Sequence, residues 1–282
     1  MTKKSAAEIR EDLKAHVDFL AEAGAGFVLR RPGEEPRRGT YRPPAGTAAR
    51  ASSRPAAPAA PSARRGTGLQ PAPAAAAAPA PSPASLAGRP PQTDAERAAL
   101  EEIERQVRAC TRCALHRFRT KAVPGEGNPS AELMFIGEGP GRDEDLQGRP
   151  FVGRAGQLLR RIIAAMTFRE DEVYIANMVK CRPPENRVPH GDEIEACSPY
   201  LVRQIELIRP KAIVTLGKTP TDFFAPGREG MTARRGRFGE YRGIPVMPTF
   251  HPSYLVRNEN NRELRRMVWE DMQKVMALLG RK

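Results

Sequence analysis

The chain has four cysteines, Cys110, Cys113, Cys181 and Cys197. The first two form a C-x2-C pair, whereas the last two come much later and sixteen residues apart, so segments distant in sequence must meet to bring four thiolates together. This is the pattern of a metal site. On spacing alone a structural zinc is favoured over an iron–sulfur cluster, because four-thiolate zinc sites are common and both tolerate uneven ligand spacing. Four unrelated buried cysteines are the plainer alternative. The C-x2-C pair weakens it, as does the use of every cysteine in the chain.

A second set of residues could handle a ligand. In IGEGPGRDEDLQGRPFVGRAGQLL a strand precedes and a helix follows, which puts Gly137, Gly139 and Gly141 where backbone can approach a ligand closely. The stretch is not a dinucleotide loop, since Arg142 stands where the third glycine should be and Pro140 interrupts the turn. Phe151, at the helix start, could offer a ring face to a planar base, although core packing is the commoner use of a Phe there. Asn177 lies near the end of the apolar run VYIANMV, where an amide is costly to bury unpaired but well suited to reading a base edge with one donor and one acceptor. A bond to neighbouring backbone is its plainer reading. His251, in TFHPSYLVRN, directly follows a strand, with Pro252 stiffening the exit and Leu255, Arg257 and Asn258 expected on a loop beyond. A histidine at a strand's carboxyl end is a site candidate, with a satisfied structural histidine as the alternative. Leu255 could push between bases as a flipped nucleotide leaves the stack.

These residues need a scaffold that gathers strand ends. Apolar runs at Leu133 to Gly137, Val173 to Val179, Ala212 to Gly217 and Ile244 to Pro248 read as short buried strands. Helical patterns near residues 154–167, 192–208 and 261–279 separate them. Such alternation predicts a parallel sheet with helices on both faces and a ligand site at the carboxyl ends of the strands. A capping box at Thr93 and Glu96 opens a helical face of Leu100, Ile103 and Val107 that leads to Cys110, so the folded domain is expected over residues 93–282. Before it, residues 36–92 carry eight arginines and no acidic residue in an Ala/Pro/Ser/Gly background. That composition predicts a disordered linker, either a plain spacer or a tether that holds DNA phosphates at low salt. Residues 1–35 contain a short amphipathic helix, expected over about Ala6 to Ala23, with no core of its own. It either docks, binds a partner or frays, and a polymerase sliding clamp is one kind of partner it could meet.

With 46 lysines and arginines against 33 aspartates and glutamates, the formal charge is +13, which suits a polyanionic partner or simply a basic solvated surface. No run of eighteen apolar residues occurs and the first residues do not read as a secretory signal, so a membrane role is not expected and the cytoplasm is the expected compartment. There, cysteines serve metals or catalysis rather than disulfides.

Taken together and in this order, GEGPG…GRPFVGRAGQLL, IANMVKCRPPENRVP and HPSYLVRN, with four cysteines at these places, resemble the family 4 uracil-DNA glycosylases, the iron–sulfur members of the uracil-DNA glycosylase superfamily. The likeness covers about residues 95–282. It implies a three-layer α/β/α sandwich around a four-stranded parallel sheet, and replaces zinc by a structural 4Fe-4S cluster on Cys110, Cys113, Cys181 and Cys197. By motif it places Glu138 and Gly139 in the first catalytic loop, Phe151 against uracil, Asn177 at its edge, His251 beside the leaving base and Leu255 in the DNA-intercalating loop. Glu144 becomes the side chain that crowds a C5 methyl and excludes thymine. The activity implied is that of a monofunctional enzyme, expected as a monomer on uracil-containing DNA, which flips uracil out, hydrolyses its N-glycosidic bond and leaves an abasic site. Many superfamily members have an aspartate where this chain has Gly139, so strong general-base catalysis is not expected. A related branch traps the sugar covalently on a histidine carried by an inserted basic loop; the segment PENRVPHGDE contains His190 but no such insertion, so ordinary turnover is favoured. The rival readings are a non-catalytic nucleic-acid-binding protein with a structural four-cysteine metal site and an electron-transfer iron–sulfur protein. Both leave Phe151, Asn177 and His251 unexplained.

Overall fold

The computed structural model describes residues 92–281. The expected helix near Ala6 to Ala23 and all but the last residue of the 36–92 linker lie outside them. That last residue, Gln92, is already buried, and its Nε2 donates to Leu207 O at 3.4 Å. In chain order the elements are α1 (Asp94–Ala109), β1 (Glu126–Gly127), β2 (Leu133–Gly137), α2 (Arg142–Gln147), α3 (Arg154–Ala165), β3 (Val173–Asn177), α4 (Gly191–Ile208), β4 (Ala212–Leu216), α5 (Lys218–Phe224), α6 (Met231–Arg234), β5 (Gly239–Tyr241), β6 (Ile244–Thr249), α7 (Pro252–Arg257) and α8 (Arg262–Leu278).

The strands form one sheet in the order β1-β3-β2-β4-β6-β5. Its middle four strands run parallel, and the two short edge strands β1 and β5 pair antiparallel. The expected four-stranded sheet is therefore corrected to six strands. The edges escaped the sequence reading because two or three half-polar residues carry no periodic signal. In the parallel core each strand is buried on both faces, which is why it reads as a continuous apolar run. Alternate residues of β2 go to opposite layers: Leu133 and Phe135 join the core under α3, α7 and α8, whereas Met134 and Ile136 join the one under α4 and α5. From β2 the chain moves to β3 on one side and then to β4 on the other. The carboxyl ends of β2 and β4 thus flank a switch point, where α/β sheets open a crevice.

Local sequence explains the helix ends. Thr93 and Glu96 cap each other at the start of α1, as their spacing predicts. Inside α4, Pro199 has no N–H for Glu195 O, and the Ser198 hydroxyl donates to that carbonyl instead at 3.4 Å. At the carboxyl end of β6, Asp271 of α8 is fully buried and accepts from Arg235 Nε at 2.9 Å and Thr249 Oγ1 at 2.6 Å. This knot ties α8 to the end of β6, two residues before His251. Breaking a buried pair strands the remaining charge, so Asp271→Ala should lose about 3–5 kcal/mol of stability, read as a fall in the midpoint of urea unfolding. A midpoint unchanged from the parent would show that the knot contributes nothing.

Candidate active site and four-cysteine centre

A cavity of about 500 Å³ opens at the switch point, lined by Glu138, Gly139, Glu144, Phe151, Asn177 and His251 together with Leu216, Gly217 and Lys218 from the end of β4. Six of the seven residues read from the sequence as substrate-handling therefore meet in one place. Its size suits a small planar ligand.

Asn177 is the last residue of β3 and pairs in register with Gly137, the last of β2. Its side chain is 2 % exposed, and among the described residues its Oδ1 finds no hydrogen-bond partner. A buried acceptor left unmade costs about 1–3 kcal/mol, so the position invites a donor from a ligand. Gly137 makes the room. A Cβ there would come within 2.4 Å of Asn177 Oδ1 and 2.7 Å of Phe151 Cζ, both too close to stand.

Phe151 sits with φ +52°, a conformation bulky side chains avoid and one that stores about 1–3 kcal/mol of strain. Neighbours hold it there. Gly156 passes beneath, where a Cβ would lie 1.8 Å from Phe151 O. Glu144 reaches back from α2, and its carboxylate accepts from Val152 N at 2.8 Å, Gly153 N at 2.9 Å and Gly141 N at 3.1 Å. Glu144 thus clasps the two glycine-rich turns together, a role the sequence did not suggest.

His251 caps the start of α7. Its Nδ1 accepts the Ser253 N–H at 3.1 Å and lies 2.8 Å from Ser253 Oγ, which also receives Arg257 Nη1 at 3.3 Å. With a backbone donor on Nδ1, the ring proton resides on Nε2. Burial, helped by the Arg257 charge, pushes the imidazole pKa down to about 4, so the ring is neutral near pH 7 and offers an uncharged Nε2–H. The Phe151 and His251 ring centroids are 5.8 Å apart with the rings inclined by 30°, too close for a planar base between them. Glu138 at the cavity wall accepts from Thr219 Oγ1 at 2.5 Å. A Cβ on Gly139 would press on Val179 Cγ2 at 2.9 Å, so an aspartate there would have to displace that side chain.

Leu255 departs from expectation. The segment after His251 is helical, Leu255 is 1 % exposed, and it packs in the core under α3 and α8. Once Pro252 starts a helix, Leu255 faces inward and is no surface wedge. Among the described residues, the exposed apolar side chain on the cavity rim is instead Val188, 62 % exposed. The rim segment is pinned where Arg187 grips the buried Glu193 through both carboxylate oxygens, which holds that carboxyl below its usual range. Sequence reasoning also passed over Lys218 and Thr219. They stand directly after β4, the same strand-end position that singled out His251.

The four cysteines come together as expected, lining a second cavity. Cys110 ends α1, Cys113 follows in the next turn, Cys181 leaves β3 and Cys197 lies on α4. Arg119 Nη1 donates to Cys181 Sγ at 3.1 Å and Lys180 N to Cys197 Sγ at 3.2 Å. Burial pushes the Cys197 thiol up to about 12 and raises those of Cys113 and Cys181, so these thiolates need a bound cation to persist.

Against known proteins, the profile of the Uracil DNA glycosylase superfamily matches residues 124–273. The Type-4 uracil-DNA glycosylase of Thermotoga maritima is 48 % identical over 182 residues, covering 64 % of this chain and 94 % of the relative. That of Sulfurisphaera tokodaii is also 48 % identical, over 64 % of this chain and 84 % of its own. The corresponding enzyme of Archaeoglobus fulgidus is 41 % identical, over 65 % and 95 %.

If Gly137 is the space that Asn177 and Phe151 share, Gly137→Ala should displace both and weaken uracil binding at least about tenfold, roughly 1.4 kcal/mol. Titration of free uracil against tryptophan fluorescence or by calorimetry reads this. Parent-like affinity would mean that the two side chains do not act on the ligand together.

Proposed function

The chain belongs to the uracil-DNA glycosylase superfamily, in its type-4 branch, and we infer that this cavity receives a uracil flipped from DNA and that its N-glycosidic bond is hydrolysed there. The observation that carries this reading is the unpartnered, buried Asn177 Oδ1 beside the Phe151 ring and the neutral His251. Uracil presents an N3–H donor between two carbonyl acceptors. An amide meets that edge with Oδ1 accepting from N3–H and Nδ2 donating to O4, while cytosine offers no donor at N3.

As the glycosidic bond breaks, positive charge develops on the sugar and negative charge on the departing base. The uncharged Nε2–H of His251, at the base's edge, donates to the carbonyl oxygen where that negative charge collects. A preorganised donor of this kind is worth about 2.7–4 kcal/mol. Lys218 and Arg257 border the cavity and supply positive charge for the flanking phosphates. Glu138 is the carboxylate on the wall that orients the attacking water. Glu144, committed to three backbone N–H groups, fixes the floor on which the base lies and stands where a C5 methyl would crowd it. His190 is absent from the cavity lining, which supports turnover without a covalent adduct. Lys218 extends toward solvent in an ion pair with Asp222, which supports hydrolysis without strand cleavage.

The four cysteines fit a 4Fe-4S cluster. All four line one cavity, and while zinc and a four-iron cluster both take four thiolates, the likeness to the type-4 glycosylases favours the cluster. When bound it would supply structure, clamping α1, the β3 exit and α4 together. The substrate sets the place of work: we place the protein in the cytoplasm, on the nucleoid while bound, and as a monomer.

The test is an oligonucleotide with one uracil, treated with alkali after incubation to cut abasic sites. The parent protein should yield a break at uracil only, and only after alkali. Asn177→Ala and His251→Ala should each slow excision about 10²–10³-fold while the visible absorption persists. Parent-like rates in both would remove these assignments. Because the imidazole titrates near pH 4, the excision rate should show no His251-dependent loss between pH 8 and pH 5. A fall below an apparent pKa near 6.5 that disappears in His251→Gln would show an imidazole whose pKa is not depressed by burial.

A further inference from the structure

Lys180 is 1 % exposed, yet among the described residues no carboxylate pairs with it. Its Nζ donates to Gln204 Oε1 at 2.8 Å. Gln204 is itself buried and is fixed by donating from Nε2 to Pro124 O at 3.0 Å and Tyr174 Oη at 3.1 Å. The amide therefore cannot turn away, and its oxygen is held toward the ammonium. A neutral oxygen orients a buried charge but does not neutralise it. Lys180 also lines the four-cysteine cavity, and its backbone N–H is already bonded to Cys197 Sγ. Across the same cavity, the Arg119 guanidinium donates to Cys181 Sγ at 3.1 Å and to Arg108 O at 2.9 Å. One cation, Arg119, thus reaches a sulfur directly, and a second, Lys180, lines the same cavity and reaches another sulfur through its backbone N–H.

We propose that Lys180, seconded by Arg119, is the built-in counter-charge of the cluster and sets its reduction potential. This rests on the cluster reading above. Four thiolates outweigh the positive charge of a four-iron, four-sulfide core, so the assembled centre is negative, and two of its ligands, Cys181 and Cys197, are buried. Net charge around such a centre and hydrogen bonds to its sulfurs are the protein's main controls on its potential. A fixed ammonium beside it favours the more negative, reduced form, and the cluster in turn supplies the anion that the buried ammonium lacks. The arrangement also accounts for a lysine that takes no part in the uracil cavity.

The experiment compares iron content and the midpoint potential of one-electron oxidation, by film voltammetry, in the full-length holoprotein and its variants. In Lys180→Met, of similar length but uncharged, the midpoint should fall by about 59 mV or more, a tenfold shift of a one-electron equilibrium toward the oxidised form. Gln204→Leu removes the hydrogen bond but keeps the charge, and should leave the midpoint near that of the parent. An unmoved midpoint in iron-replete Lys180→Met overturns the proposal, as does a Gln204→Leu shift as large as that of Lys180→Met. Should Lys180→Met fail to fold, the half-exposed Arg119→Gln gives the same test: a fall in midpoint supports the counter-charge and no change overturns it. A parent protein without iron would remove the cluster reading and this inference together. Iron in the parent with an unmoved midpoint in the variants would remove this inference alone.

Discussion

The parallel pairing of β2 with β3 is the constraint on which the site depends. Its register sets Gly137 beside Asn177 and continues past the strands, with Met178 N bonded to Gly137 O at 2.9 Å and Val179 N to Glu138 O at 3.1 Å. Along this one ladder the missing side chain of Gly137 opens space, Asn177 points its amide into that space, and Glu138 and Gly139 form the wall. Because side chains alternate across a strand, a slip of one residue would send the amide to the opposite layer. The buried apolar faces of both strands prevent that slip.

The same strand exit joins the two centres. Four residues beyond Asn177 the chain reaches Cys181, and between them Lys180 O accepts from Val123 N at 2.8 Å. A group bound by the four cysteines would therefore hold the far end of the segment that aims Asn177, although it never meets the substrate. Such a group, when bound, would add one more anchor to a segment already held by the Val179 N–Glu138 O and Val123 N–Lys180 O bonds.

On the other side of the cavity, order is imposed against local preference. Phe151 is held at positive φ by the Glu144 clasp and by the bare backbone of Gly156, and the core behind it includes Leu158, Leu216 and Leu255. The ring is thus ready before any base arrives, and ordering it need not be repeated at each binding event. His251 follows the same logic, since Ser253 fixes its tautomer and burial keeps it uncharged.

The sequence by itself determined the four central strands, the main helices, the chemistry-bearing residues and the likeness that ties them together. Each of those signals is local: an apolar run, a capping box, a cysteine pair, a motif. What only the tertiary structure decided depends on residues far apart in the chain. The short edge strands exist because a neighbour offers hydrogen bonds, not because their two or three residues favour extension. Leu255 reads as a loop wedge until α3 and α8 are in place to bury it. Glu144 becomes a clasp because its turn folds against that of Phe151, and Asn177 Oδ1 is left without a partner because nothing in the sheet reaches it. Nothing in the sequence marks Lys180 as buried, and its burial beside the cysteine cavity makes it a charge that needs an answer. Composition and spacing can name such groups, but whether each is paired, buried or exposed is settled by the contacts of the folded chain.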